Sequence, residues 1–232
     1  MMTKIKKDAA AALQAVKNGD VVLVGGFGLV GSPLTLIEGL TKIDVRDLTI
    51  VSNNLGESGK GLGKLLNQKK IRKGIGSYFT SNRDVGEANK RGEIELELSP
   101  QGTLAERLRA GGAGIPAFFT ATAQGTLLAE GKEEREFDGK KYIMEKGLRG
   151  NVALVRAFKA DTLGNLVYYK TARNFNPAMA TAADYVIAEV DEIVEPGKLD
   201  PESIVTPHLY VDAIIKATTV LTKGGVTEHE QQ

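Results

Sequence analysis

The sequence predicts an α/β fold in which a mostly parallel β-sheet is flanked by helices. Three observations carry this. Short continuous apolar runs such as Val21–Val24 and Leu48–Val51 suit strands buried on both faces of a parallel sheet. Stretches with helical spacing lie between them, giving the strand–helix alternation of a covered sheet. Glycine makes up 27 of 232 residues, against a usual ~7%, and gathers in short apolar loops where backbone can approach a ligand closely.

Taken in order, an alanine-rich helix is expected over Lys4–Val16, stopped by Asn18-Gly19 in the manner of a C-terminal cap. The strand Val21–Val24 leads into the loop Gly25–Gly31. A helix then starts around Pro33, a residue suited to a first helical position. The strand Leu48–Val51 ends in Ser52-Asn53-Asn54. A helix over Leu62–Gln68, a strand over Ile71–Gly76 and a helix over Val85–Lys90 continue the alternation. Glu93–Leu98 has strict period two, with Ile94, Leu96 and Leu98 on one face and three glutamates on the other, as a half-solvated strand produces.

Pro100-Gln101-Gly102 opens a helix through Arg109, and Gly111–Pro116 reads as a second glycine-rich turn. The charged stretch Lys132–Lys146, with Asp138-Gly139 at its middle, reads as an exposed hairpin. Strands are expected at Val152–Phe158, Leu166–Tyr169 and Tyr185–Val190, the first two joined by a turn at Asp161–Asn165. The polar segment from Lys223 is expected to be loose. With no repeat and no linker, the organisation expected is one domain over residues 1–222 and a flexible tail over 223–232.

Composition narrows the function classes. The chain carries 30 basic and 29 acidic residues, interspersed, without the basic stripe of a nucleic-acid binder. No run approaches ~18 apolar residues, and the basic start lacks the apolar stretch of a secretory signal. A cytoplasmic location is expected. With no cysteine and only His208 and His229, thiolate chemistry is excluded, and a zinc cluster or a serine–histidine triad is disfavoured.

Gly26-x-Gly28-x-x-Gly31 matches the dinucleotide-binding fingerprint in form. That fingerprint also needs an acid at the end of the second strand. Here Asp44 and Asp47 precede the second strand, and neutral Asn53 and Asn54 end it; a nicotinamide cofactor is therefore not expected. The loop's N–H groups and the following helix N-terminus can instead form an anion-binding concavity. Phe27, Leu29 and Val30, set among the glycines, read as exposed and favour a ligand loop. The same glycines also suit a tight turn, and Phe27 suits either loop or core.

Ordered blocks carry a specific resemblance. GDVVLVGGFGLVGSP at 19–33, VSNN at 51–54, LSPQGTLAERLRAGGAGIPAFF at 98–119, FKADTLGNL at 158–166 and KTARNFNP at 170–177 resemble the α component of family I CoA-transferases, 3-oxoacid branch. The resemblance runs from about residue 4 to 215. It implies the fold shared with sugar-phosphate isomerases and the effector domains of some regulators (NagB/RpiA/CoA transferase-like). It also implies CoA transfer between carboxylic acids through a glutamyl-CoA intermediate.

In that family the nucleophilic glutamate lies in the β component, in a Glu-Asn-Gly-type motif. The motif is absent from this sequence, so no catalytic nucleophile is assigned; Glu57, Glu87, Glu106 and Glu130 read as solvated charges. The resemblance implies a CoA-binding loop at Gly25, Gly26, Phe27, Gly28, Leu29, Val30 and Gly31. It implies an acyl and carboxylate pocket lined by Asn53, Asn54, Gln101 and Gly102, with Gly112, Ala113 and Gly114 shaping its floor. Turn-making and capping would account for the asparagines as well. Arg173 and Asn174 are candidates for a phosphate, an interface or a structural ion pair.

The expected partner is the β subunit of such a transferase, in an α2β2 heterotetramer, with acyl-CoA and short-chain carboxylic acids as substrates. Coenzyme A enters as substrate, and neither a metal nor a permanently bound cofactor is implied. The alternatives are the α component of an acetate- or butyrate-type acetoacetate CoA-transferase and a ligand-sensing domain of the same fold.

Overall fold

The computed structural model describes residues 3–222 and 225–228. Among them, seven parallel strands form the main sheet. They are β1 (Val21–Val24), β2 (Leu48–Val51), β3 (Ile71–Gly76), β4 (Glu95–Leu98), β8 (Gly150–Asp161), β10 (Ala183–Val194) and β11 (Ala213–Lys216). Their spatial order is β11-β10-β8-β1-β2-β3-β4, and the two-residue β9 (Leu166–Val167) pairs antiparallel with β8. The chain therefore leaves β1 in one direction through β4 and later returns to the other side at β8. The β1/β8 junction is a topological switch point, where parallel sheets bind ligands at the carboxyl ends of their strands.

Helices α1 (Ala9–Ala12), α2 (Leu34–Lys42), α3 (Gly63–Asn67), α4 (Arg83–Lys90), α5 (Gln101–Gly112) and α6 (Asn176–Thr181) flank this sheet. Alternation along the strands explains the two cores. Val22, Val24 and Ile50 pack with Leu36, Leu40, Leu65 and Val85 on one face. Leu23, Val51 and Ile75 pack with Leu104, Leu108 and Met179 on the other. A side sheet holds β5 (Ala117–Thr120), β7 (Lys140–Lys146) and β6 (Glu134–Phe137) in that order. The β6–β7 hairpin turns at Asp138 and Gly139, both at positive φ, as read from the sequence.

The bounds of β1, β2 and β3 match expectation; others move for identifiable reasons. The expected helix over Lys4–Val16 shrinks to α1 and a 3₁₀ turn at Leu13–Ala15. Asp8 caps α1 by accepting the Ala11 N–H at 2.8 Å. Upstream, Lys6 donates to the Ile214 carbonyl and Ile214 to that of Lys4, so these residues extend the sheet edge. The expected turn at Gly111 begins later, because Gly111 and Gly112 complete the last turn of α5. β8 and β10 run longer than expected, pairing from Gly150–Ala183 to Asp161–Val194, and β9 is shorter. The strands β5 and β11 and the helix α6 have no counterpart in the sequence reading. Of the segment expected to be loose, β13 (Gly225–Glu228) pairs antiparallel with β12 (Thr219–Thr222); residues 223, 224 and 229–232 lie outside the described residues.

Candidate functional site

The candidate residues that converge do so at the carboxyl ends of β1 and β2 and at the start of α5. The loop after β1 is a reciprocal tight turn, in which Phe27 donates to the Val30 carbonyl at 2.9 Å and Val30 to that of Phe27 at 3.2 Å. Gly28, at φ 62, takes a left-handed conformation that side chains disfavour. Phe27 is 51% exposed and Val30 is also exposed, whereas Leu29 is buried and lies beside Gly61. Leu29 thus anchors the loop instead of offering its side chain, which corrects the reading of all three apolar residues as exposed. Among the described residues, the Gly28 and Leu29 N–H groups at the tip have no acceptor.

Two amides from the turn before α6 hold this loop. Asn174 accepts the Gly26 N–H at 3.1 Å and donates to the Val30 carbonyl at 3.0 Å. Asn176, fully buried, donates to the carbonyls of Gly31 and Ala172, both at 3.0 Å. The KTARNFNP segment therefore fixes the loop's shape, a role unread in the sequence because the contact spans about 150 residues. Arg173 beside them is exposed and makes no ion pair among the described residues, so the expected alternative of a buried ion pair is set aside.

The N-terminus of α2 differs from expectation. A ready anion site there would need free N–H groups, but Glu189 already accepts the Leu36 N–H at 3.0 Å. Glu189 is fully buried and pairs with Arg156 at 2.5 Å. Burial pushes its carboxyl up to about 7, against the pull of Arg156 and of its donors at the start of α2. Arg156 also pairs with Asp191. The positive helix end is thus compensated from within, and the open donors are those of the loop tip. A cleft of about 450 Å³ lies beside the loop on the β8 side, lined by Val30, Arg156, Phe158, Tyr169 and Leu221 among others.

On the β2 side, Asn53 and Asn54 are buried. Asn53 Nδ2 donates to Gln101 Oε1 at 3.3 Å, joining the end of β2 to the first residue of α5. Asn54 Oδ1 accepts the Gly56 N–H at 3.0 Å, so it makes a turn as well. Its Nδ2 stands 4.0 Å from where a Cβ on Gly28 would lie, which brings the loop beside the amides at the end of β2. Gln101 and Gly102 are exposed, and a Cβ at Gly102 would meet nothing within 4 Å.

Gly112, Ala113 and Gly114 do not join them. Gly112 closes α5, eleven residues from Gln101, or about 16 Å along a helix axis. Gly112 lies close to Thr181 of α6, where a Cβ would collide. Gly112 packs against α6 and Gly114 belongs to the turn that follows α5, at the opposite end of the helix from Gln101.

The glutamates flanking and within β4 are structural. Glu93 pairs with Lys69 and Arg91, Glu95 with Lys73, and Glu97 with Lys73 and Arg107. Burial raises the Glu97 carboxyl, but Lys73 and Arg107 outweigh it and hold the group below its ordinary range. Glu57, Glu87 and Glu106 pair with neighbouring cations on the surface. Among the described residues no helix is long and apolar enough to cross a membrane, and no group of acids and histidines could hold a metal ion.

Comparison with known proteins fits this geometry. Residues 6–217 match the Coenzyme A transferase family. The chain is 55% identical over 213 residues to the A-type chain of a succinyl-CoA:3-ketoacid coenzyme A transferase of Xanthomonas campestris, covering 91% of this chain and 88% of that one. It is 48% identical over 217 residues to the A-type chain of a 3-oxoadipate CoA-transferase of Pseudomonas putida, covering 93% and 94%. Among solved structures, an acyl-CoA transferase from Escherichia coli in a thioester complex with CoA superposes with a TM-score of 0.85 at 20% identity. That match covers 98% of this chain, which spans half the length of the other. Glutaconate coenzyme A-transferase from Acidaminococcus fermentans gives 0.83 at 20% identity, over 93% and 76%. At such identities these two structures speak for the fold.

Proposed function

The chain belongs to the coenzyme A transferase family, and we propose that it is the recognition half of a two-component 3-oxoacid CoA-transferase. In this reading it moves CoA from succinyl-CoA to a 3-oxoacid such as acetoacetate, together with a β subunit in an α2β2 assembly. The observation that carries the reading is the amide-clamped loop set beside the Asn53–Gln101 hydrogen bond at the carboxyl ends of β1 and β2. Transferase relatives at 55% and 48% identity support it.

The chemistry is a covalent exchange. The β subunit supplies a glutamate that attacks the thioester carbonyl, the C–S bond breaks, and an acyl-glutamyl anhydride and CoA thiolate result. The thiolate attacks the glutamyl carbonyl of the anhydride, releasing the donor carboxylate and leaving a glutamyl-CoA thioester. The acceptor carboxylate then runs the sequence in reverse. Each step is an exchange at an activated acyl group.

In this scheme the chain's own groups bind and orient. The N–H groups of Gly28 and Leu29 face the CoA portion, with exposed Arg173 available to a phosphate. Asn53 and Gln101 orient the acyl group through neutral donors, which hold a carboxylate without the strong charge pairing that would slow release. Contacts to the remote nucleotide lower the barrier at the thioester when they tighten in the transition state.

The test is transfer from succinyl-CoA to acetoacetate by this chain co-purified with its β subunit. Acetoacetyl-CoA formation is expected. CoA binding without transfer would move the acceptor to another acid, 3-oxoadipate first, given the Pseudomonas relative.

A further inference from the structure

Beside the Asn53–Gln101 pair lie two serine hydroxyls without partners. Ser77 Oγ and Ser99 Oγ are both buried and make no hydrogen bond, and Ser99 is only 2% exposed. Their position follows from the register. The pairs Val51–Ile75 and Gly76–Leu98 are in step across β2, β3 and β4. Backbone bonding continues past the strand ends, with Ser77 donating to the Asn53 carbonyl at 2.9 Å and Ser99 to that of Gly76 at 2.8 Å.

Alternation then sets the face. Val51 and Ile75 lie in the core under α5, so Asn53 and Ser77, two residues on, share that face. Glu97 bonds Arg107 of α5 at 2.8 Å, which puts Ser99 there too. Asn53, Ser77 and Ser99 thus lie side by side just past the ends of β2, β3 and β4, beside the start of α5.

The helix end they meet is open. α5 has Pro100 at its N-cap and no side-chain cap. Among the described residues the N–H groups of Gln101, Gly102 and Thr103 have no acceptor. Leaving a buried hydroxyl without a partner is costly, and two such hydroxyls beside an uncapped helix end are donors free to meet a ligand's acceptor. The nearby charges are already neutralised: Lys73 bonds Glu95 and Glu97, and Arg107 bonds Glu97. Uncharged donors suit a carboxylate better than a phosphate, which recruits cations.

We propose that Ser77, Ser99 and the N-terminus of α5 form a carboxylate subsite that holds the non-reacting carboxylate of a dicarboxylic acyl group. This rests on the CoA-transferase reading and adds to it the element that selects a dicarboxylic donor. The hydroxyls donate to the distal carboxylate while Asn53 and Gln101 stay with the acyl chain.

The experiment compares Ser99→Ala and Ser77→Ala with the unmodified complex, using succinyl-CoA in one direction and acetoacetyl-CoA in the other. Only the first carries a free carboxylate on its acyl group. For the variants, kcat/KM is expected to fall about tenfold with succinyl-CoA and to stay within about twofold with acetoacetyl-CoA. Thermal stability should hold or rise, since each change removes an unpartnered buried hydroxyl. Equal losses on both donors would assign the serines to the shared CoA portion or to the fold, and no loss on either would leave them without a substrate role; both overturn the subsite. An unmodified complex that uses neither donor would instead overturn the transferase reading on which it rests.

Discussion

Gly25 and Asn176 leave no room for a side chain between them: a Cβ on Gly25 would fall 1.8 Å from Asn176 Oδ1. That oxygen accepts the Arg156 N–H at 2.7 Å, and the same side chain holds the Gly31 carbonyl. Gly25→Ala must therefore displace the amide that fixes the end of the loop. Overpacking of this kind costs about 1–3 kcal/mol, so a melting temperature several degrees lower is expected. A variant with unchanged melting would mean that Asn176 can move away freely.

Asn174 shapes the loop through its side chain and occupies φ 21, a region that glycine also tolerates. Asn174→Gly separates the two roles, keeping the backbone and removing both clamping bonds. The expected result is a roughly tenfold rise in KM for the CoA thioester, with a smaller change in kcat. Initial-rate kinetics on the assembled complex read this directly, and an unaltered KM would show that the loop holds its shape unaided.

Glu189 gives the fold a pH dependence. Its folded value of about 7 lies above the ordinary 4.5 because burial disfavours the charged form. A raised carboxyl favours folding below its unfolded value, and that contribution is lost as pH rises from about 4.5 through about 7. Glu189→Gln removes the titration while keeping an acceptor for Leu36. Denaturant unfolding at about pH 5 and about pH 8 should show the native chain losing on the order of 1–3 kcal/mol relative to the variant. Parallel pH profiles would contradict the assignment.

Gln101 tests the amide pocket. Gln101→Ala removes the acceptor for Asn53 Nδ2 and leaves the loop untouched. Turnover of the acid substrate should fall by about tenfold, with CoA binding by calorimetry within about twofold. Equal weakening of both would place Gln101 in the nucleotide site.

Much of the fold was legible because its signals are local. The runs at β1, β2 and β3 are apolar enough to require burial on both faces, and Asp138-Gly139 needs no tertiary partner to turn. What was missed depends on distant contacts. Ile5 reads as helical until Ile214 offers it a sheet edge, and six residues of α6 are too few for a periodic signal.

The site divides in the same way. Gly25–Gly31 and Asn53 announce themselves by composition and place. Asn174 and Asn176 act across about 150 residues, and Glu189 caps α2 from a strand far along the chain. The place of Gly112–Gly114 at the far end of α5 was not legible, because glycines that pack a helix end look in sequence like glycines that line a pocket.

The central claim is that this chain recognises the substrate while its partner carries the covalent chemistry. The most direct measurement is intact mass of both components after the complex meets succinyl-CoA without an acceptor. A CoA thioester adduct on the β subunit, with this chain unmodified, is the predicted result. An adduct on this chain would contradict the claim and place the nucleophile among its own glutamates.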